Sequence, residues 1–172
     1  MATRIILARH GETDWNRERR WQGHSDRPLN ETGRAQAETL AEELAGEPID
    51  AVYSSDLVRA HETARIVAAR LGRDVVAVPG LRERRFGAWE GLRDIDVEER
   101  FPGAHGPPDG ETREEMRRRV LESLEAIAAT HAGKTVLVVT HGGPIRAVLR
   151  HHAHALCEEP AGNCSFFDLE VD

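Results

Sequence analysis

The chain has few cysteines, no long apolar run and no excess of basic residues. Its two cysteines, Cys157 and Cys164, are too few for a disulfide framework and lack the CxxC spacing of a metal site, so we interpret both as reduced side chains. No apolar run approaches the length that crosses a bilayer, and the first predicted strand starts too near Met1 to leave room for a secretory signal. The sequence therefore predicts a cytoplasmic protein without a membrane partner.

The charge balance is acidic, with a formal net charge of -7 at pH 7. This charge opposes binding to nucleic acid and to anionic membrane surfaces, and no basic face with interleaved aromatic residues offsets it. Any site for an anion must therefore be local. Hydrophobic residues make up 40% and charged residues 31% of the 172 positions, a composition that excludes a disordered chain and predicts one domain over residues 1–172.

Periodicity in the sequence predicts an α/β fold. Short apolar segments bounded by turn residues predict strands at 3–9, 49–54, 74–78, 135–140 and 164–171. Segments with one apolar face predict helices at 31–45, 56–71, 113–131 and 144–153. Thr112 and Glu115 have the spacing of a capping box before the third helix, and Pro144 suits the first position of the fourth. This alternation predicts a three-layer sandwich, in which helices cover both faces of a mostly parallel central sheet.

The segment 85–111 interrupts the alternation. It is rich in glycine and proline and shows little periodicity, so we expect an irregular lid or crossing segment, where substrate specificity often resides. Trp15, Trp21 and Trp89 lie near the motifs described below rather than in a periodic stripe. They suit either an apolar rim around a substrate or an aromatic seal between the lid and the rest of the protein.

His10 is the most informative residue of the chain. It follows the apolar run 5–8 and Arg9, so an imidazole and a guanidinium reach the end of a buried strand together. Ligands of open α/β sheets bind at this edge, and the Thr13 hydroxyl and the Asn16 amide add neutral donors for an oxyanion. We interpret His10 as an exposed nucleophile that attacks phosphorus. The alternative is a strand end that carries an Arg-His pair without a function.

Two further residues are expected at the same edge of the sheet. Arg59 lies in the first turn of the helix after the second strand, off its apolar stripe, where a guanidinium can grip two phosphate oxygens. On its own, Arg59 would be taken for a solvated arginine. His141 ends the fourth strand before two glycines and a helix, whose amides and dipole favour an anion.

His151, His152 and His154 lack matched acidic or cysteine ligands, so we interpret them as a solvated surface rather than a metal site.

Glu83 is the candidate proton donor for a leaving alkoxide. It follows the predicted strand 74–78, and a bound phosphate dianion disfavours the charged form of a neighbouring carboxylate, which suits a general acid. The alternative is that Glu83 is one charge in the arginine-rich run 82–85. Position alone does not decide between the two.

Together these motifs closely resemble the histidine phosphatase superfamily, the family of the phosphoglycerate mutases and related phosphatases. The resemblance covers most of the chain, and the motifs occur in the family's order. They are Arg9-His10-Gly11-Glu12-Thr13 with Asn16, Gln22-Gly23 through Asp26, Pro28 and Leu29, Ser54-Ser55-Asp56-Leu57 with Arg59-Ala60, Leu81-Arg82-Glu83 with Phe86-Gly87 and Trp89-Glu90-Gly91, and Thr140-His141-Gly142-Gly143.

The resemblance implies a phosphohistidine mechanism without a metal ion or other cofactor, because fixed cations and N–H dipoles stabilise the charge. It implies that His10 attacks phosphorus and that Glu83 protonates the leaving oxygen and then activates water. Arg9, Arg59 and His141 would bind phosphoryl oxygens, and the two guanidinium groups would keep His10 neutral by lowering its pKa. The substrate-binding residues implied are Thr13, Asn16, Gln22, Gly23 and Gly142.

The expected activity is hydrolysis of a small phosphomonoester, such as a sugar, nucleoside-like or glycerate phosphate. Mutases of the family shield the phosphohistidine with long inserted segments, whereas His141 follows Glu83 by 58 positions, nearly half of them in a predicted helix and strand. A phosphoglycerate mutase is therefore the alternative. An inactive phosphate-binding scaffold is disfavoured, because every expected catalytic residue is present. The partner is a small molecule, and the oligomeric state stays open, with a homodimer as one option.

Overall fold

The computed structural model describes residues 1–156 and 160–172, so Cys157 lies outside the described residues. Within them, the strands are β1 Thr3–Arg9, β2 Ile49–Ser54, β3 Val75–Ala77, β4 Thr135–Thr140 and β5 Phe166–Val171. They form one sheet in the order β3-β2-β4-β1-β5. Strands β1 to β4 pair in parallel, and β5 runs antiparallel beside β1. The predicted mostly parallel sheet is confirmed.

Helices occupy the connections between the strands. They are α1 Asp14–Arg17, α2 Glu31–Glu43, α3 Val58–Leu71, α4 Asp94–Arg100, α5 Arg113–Thr130 and α6 Gly142–His151. Two short 3-10 turns, Pro79–Leu81 and Gly87–Trp89, lie between β3 and α4. Over the described ranges, no helix has both the length and the apolar character needed to cross a membrane.

The sheet separates two apolar layers, because successive side chains of a strand point to opposite faces. Ile5 and Leu7 of β1 pack with residues of α5 and α6, whereas Ile6 and Ala8 pack with residues of α2 and α3. Helices therefore cover both faces, as the three-layer prediction requires. Cys164 contributes a free thiol beside the second layer, and burial raises its pKa to about 12, which keeps it protonated.

Two helices begin at other positions than predicted. α6 starts at Gly142 with His141 as its N-cap, so Pro144 occupies the third helical position rather than the first. Proline is tolerated there because the first N–H groups of a helix have no intrahelical partner. α3 starts at Val58, whose N–H donates to Asp26 Oδ1 at 2.7 Å, so a distant side chain sets its start. The predicted Thr112–Glu115 capping box of α5 is confirmed.

The segment 85–111 is more regular than expected, since it contains one 3-10 turn and α4. Val97 is the one buried residue of α4, so the sequence of this helix lacks the periodic apolar residues that would predict it. Trp21 packs against Phe86 and Trp89, with ring centroids 4.7 and 5.5 Å apart. Trp89 is buried, so it acts as a seal between this segment and the rest of the protein.

Candidate active site

A cleft of about 420 Å³ opens at the edge of the sheet where β1 and β4 end. The register pairs Arg9 with Thr140, so the next residues along the two strands, His10 and His141, become neighbours. Their ring centroids lie 5.2 Å apart. Most of the residues expected at the site line this cleft: Arg9, His10, Asn16, Gln22, Gly23, Arg59, Glu83 and Gly142.

His10 is buried, with 2% of its surface exposed, so the expectation of an exposed nucleophile is wrong. The segment before β5 folds over the strand end, where the Asn163 amide donates to the His10 carbonyl at 3.1 Å. On the other side, the N–H of Gly11 donates to Thr63 Oγ1 of α3 at 3.0 Å. Neither neighbour is close to His10 in the sequence, and a strand-end pattern does not reveal them.

The protonation of His10 follows from its surroundings. Its Nδ1 lies 2.7 Å from the Gly11 carbonyl oxygen, which can only accept, so Nδ1 carries the hydrogen and Nε2 keeps its lone pair. Burial lowers the pKa of His10 well below 6.5, and the charges of Arg59 and Arg9 lower it further. At pH 7 the imidazole is therefore neutral, with Nε2 as a nucleophile.

Arg59 is a buried cation, with 1% of its surface exposed, and not the solvated arginine that was the alternative. Its terminal nitrogens donate to the carbonyl oxygens of Gly23 at 2.8 Å and Ser25 at 3.0 Å. Burial lowers the pKa of Arg59 to about 10, so the guanidinium stays charged at neutral pH. The turn at residues 22–26, which supplies both carbonyls, covers the side chain.

Four buried nitrogen atoms in or beside the cleft have no hydrogen-bond partner within residues 1–156 and 160–172. They are Arg9 Nε, Trp21 Nε1, Arg59 Nε and His141 Nδ1, and His141 is the one of these residues that does not line the cleft itself. A terminal nitrogen of Arg9 is engaged, since it donates to the Ala161 carbonyl at 2.6 Å. Leaving a buried donor without a partner costs about 1–3 kcal/mol. An anion that pairs with these atoms is therefore favoured.

His141 is fully buried, and its Nε2 lies 2.8 Å from Ser55 Oγ. The Ser55 oxygen already accepts the N–H of Leu57 at 3.3 Å. The Ser55 hydroxyl therefore donates its own hydrogen to His141 Nε2. Nδ1 then carries the remaining ring hydrogen and becomes a donor. Burial, with the charge of Arg59, lowers the pKa of His141 well below 6.5, so the ring is a neutral donor.

Glu83 reaches the N-terminus of α6. Its Oε2 accepts the N–H of Gly143 at 3.1 Å, and its Oε1 accepts the N–H of Arg84 at 2.7 Å. Its carbonyl oxygen accepts from Arg119 and from the His24 ring, both at 2.8 Å. Sequence reasoning missed Arg119 and His24, because these hydrogen bonds link positions 36 and 59 residues from Glu83 and follow no local pattern.

The neutral donors are arranged differently from the expectation for Thr13. The Thr13 hydroxyl is fully buried, donates to Gln22 Oε1 at 2.7 Å and accepts the N–H of Asn16 at 3.1 Å, and the residue does not line the cleft. Thr13 therefore orients Asn16 and Gln22 instead of offering its hydroxyl to an anion. Because Asn16 Oδ1 accepts the N–H of Thr13, the Asn16 amide nitrogen is the end that remains as a donor.

A second groove of about 650 Å³ continues from the cleft, since Trp21, Glu83 and Arg146 line both. The guanidinium groups along this basic groove belong to Arg84, Arg113, Arg117, Arg146 and Arg150. Among residues 1–156 and 160–172, the acidic residues that line it are Glu83 and Glu114, and Glu114 pairs with Arg117 at 2.6 Å. Positive charge is therefore in excess among the described residues of the groove. The sequence did not reveal the groove, because its arginines are spread over positions 84–150.

The histidines near the end of α6 do not form a metal site in the described part of the chain. His151 and His152 are exposed and in mutual ring contact, and His154 packs against the ring of Phe167. Among residues 1–156 and 160–172, no group of three or more His, Cys, Asp or Glu side chains is arranged to hold a metal ion.

Comparison with known proteins places this site in a family. The model of the histidine phosphatase superfamily, branch 1, matches residues 5–171. The chain is 42% identical over 157 residues to phosphoglycerate mutase-like protein 4 of Arabidopsis thaliana, and the match covers 84% of this chain and 68% of that protein. It is also 42% identical over 160 residues to a metal-independent phosphoserine phosphatase of the same plant, over 85% of this chain and 67% of that protein.

A solved structure extends the similarity to the fold. The mycobacterial glucosyl-3-phosphoglycerate phosphatase in complex with VO3 superimposes with a TM-score of 0.84 at 32% identity. The superposition covers 96% of this chain and 90% of that chain.

Proposed function

The chain belongs to the histidine phosphatase superfamily and is a phosphatase of this type, and we propose that it hydrolyses small phosphomonoesters through a phosphohistidine on His10, without a metal ion. The observation that carries this proposal is the buried neutral imidazole surrounded by cations and unpaired donors. Such a site binds a phosphoryl group and leaves one nucleophilic nitrogen, Nε2, to attack it.

In the first step, Nε2 of His10 forms a bond to phosphorus while the bond from phosphorus to the ester oxygen breaks. Arg9, Arg59 and His141 donate to the phosphoryl oxygens from Nε, Nε and Nδ1. The amide of Gly142, at the start of α6, adds a donor where the helix dipole favours negative charge. These fixed charges stabilise the transition state without reorganisation.

Glu83 supplies the proton for the leaving oxygen. In the free protein its carboxyl oxygens accept the N–H groups of Arg84 and Gly143, which hold the group at the cleft. After the alcohol leaves, the same carboxylate takes a proton from water, whose oxygen attacks phosphorus as the bond to Nε2 breaks. This step yields inorganic phosphate and neutral His10, with the proton from water on Glu83.

The basic groove favours an ester that carries a second acidic group. A phosphate held at His10 leaves the rest of a substrate to extend past Glu83 and Arg146 into the groove. Guanidinium groups there suit a carboxylate. A glycerate phosphate, or another phosphorylated hydroxy or amino acid, fits this charge best. Two of the related proteins are named for phosphoserine and glucosyl-3-phosphoglycerate, which carry carboxylates.

A phosphoglycerate mutase remains the second candidate, since one relative is named mutase-like. A mutase must return the phosphoryl group to a substrate before water reaches it. A requirement for added bisphosphoglycerate would favour the mutase, whereas release of phosphate from monoesters alone favours the phosphatase.

The decisive experiment measures hydrolysis of p-nitrophenyl phosphate with EDTA present, for the wild type and His10→Ala. We expect turnover that EDTA leaves unchanged and that the substitution abolishes. A panel of sugar, nucleotide, glycerate and serine phosphates then ranks substrates, with the acidic ones expected to have the highest kcat/KM. Activity retained by His10→Ala would contradict the assigned nucleophile, and a large loss with EDTA would contradict the metal-free mechanism.

A further inference from the structure

We infer that Glu90 is a positioning residue, which joins the turn that orients Arg59 to the segment that carries Glu83. The inference rests on the proposed function, because it concerns the same phosphate site. Glu90 does not line the cleft, and none of the steps above uses it.

The Glu90 carboxylate binds donors from two separate segments of the chain. Its Oε1 accepts the N–H groups of His24 and Phe86, both at 3.0 Å, and its Oε2 accepts the Ser25 hydroxyl at 2.7 Å. His24 and Ser25 belong to the turn at residues 22–26, whereas Phe86 follows Glu83 by three positions. One side chain therefore connects the two halves of the site.

The turn at residues 22–26 controls where the Arg59 guanidinium lies. Both terminal nitrogens of Arg59 donate to carbonyls of this turn, at Gly23 and Ser25. Gly23 has a φ of 52°, and an added Cβ there would overlap Glu90 Oε1. Glycine at this position thus leaves room for the carboxylate, and the carboxylate holds the turn beneath Arg59.

The same turn touches the backbone of the general acid. The His24 ring donates through Nε2 to the Glu83 carbonyl at 2.8 Å, while the His24 N–H donates to Glu90. Glu90 also acts through its charge, since it opposes the lowering of the Arg59 pKa by burial. Loss of Glu90 should allow the turn to move and so lower the affinity of the Arg59 site for phosphate.

Two substitutions separate the geometry from the charge. Glu90→Gln keeps an oxygen that accepts the His24 and Phe86 N–H groups, and its amide nitrogen can donate to Ser25 Oγ. Glu90→Ala removes all three hydrogen bonds. We expect Glu90→Ala to weaken the binding of inorganic phosphate about tenfold, equivalent to about 1.4 kcal/mol, and Glu90→Gln to weaken it less than about threefold.

The test is calorimetric titration of the folded variants with inorganic phosphate, which needs no turnover. A matched control is Glu115→Ala, which removes a carboxylate that also accepts a backbone N–H and a hydroxyl hydrogen, at the start of α5. The control should change the melting temperature and leave phosphate binding unchanged. If Glu90→Ala does not fold, Ser25→Ala removes one of the three hydrogen bonds and should weaken binding about threefold.

A double-mutant cycle with Arg59→Lys tests whether Glu90 acts through Arg59. We expect the effect of Glu90→Ala to shrink below about threefold in the Arg59→Lys background, because a lysine cannot make the same paired contacts with the turn. Equal effects in both backgrounds, or binding by Glu90→Ala that matches the wild type, would overturn the inference. A wild type that binds phosphate but hydrolyses no ester would instead refute the proposed function alone.

Discussion

The substitution Gly143→Ala should impair the general acid without weakening the fold. Gly143 lies in the first turn of α6, and an added Cβ would overlap Glu83 Oε1 and lie 3.1 Å from Glu83 Cδ. The carboxylate must therefore retreat, by about 1 Å, a displacement that costs on the order of 100-fold in rate for a catalytic group. Alanine in a helix is more favourable than glycine by up to about 1 kcal/mol, so we expect unchanged or higher stability.

The assay compares kcat/KM for an alkyl phosphate and for p-nitrophenyl phosphate, since this ratio reports on the steps through transfer to His10. We expect a loss on the order of 100-fold with the alkyl ester, whose alkoxide needs the proton, and less than about threefold with nitrophenolate, which needs little. Gly46→Ala is the control, because open space surrounds its added Cβ. Equal losses on both substrates, or no loss on either, would refute the reasoning.

Two further outcomes are expected. The pKa values of His10 and His141 in the folded protein lie below 6.5, so at lower pH the unfolded chain takes up protons that the folded protein does not. The free energy of unfolding should therefore fall as the pH drops below 6.5, by up to about 1.4 kcal/mol per pH unit for each histidine. Denaturant titrations between pH 5 and 8 check this, and His10→Ala should flatten the slope. Arg113→Ala should raise KM for 3-phosphoglycerate about tenfold and leave KM for p-nitrophenyl phosphate unchanged, and equal KM changes would contradict the role of the basic groove.

The sequence predicted those parts of the site that strands deliver. Apolar runs that end in His10 and His141 identify two parallel strands, and parallel strands bring their carboxyl ends to one edge. The burial of Arg59 and the role of Thr13 were beyond such reasoning. Both depend on the turn at residues 22–26, whose position is set by long-range hydrogen bonds to Arg59 and Glu90.

The helix in the segment 85–111 was also not predictable from the sequence. α4 buries one residue and is stabilised by local polar contacts at its start, so hydrophobic periodicity could not detect it. The basic groove is a comparable case, because arginines on α5 and α6 meet only after both helices pack on the sheet.

The pairing of β1 with β4 makes the active site one of the later parts of the protein to form during folding. His10 and His141 are 131 positions apart in the chain, yet they are adjacent across two central strands. Contacts of such long sequence separation form slowly, because a large loop must close before they stabilise the structure. In a nascent or partly folded chain, His10 is therefore present before His141 is placed beside it. The rate at which phosphatase activity returns during refolding would then report the rate at which β1 pairs with β4.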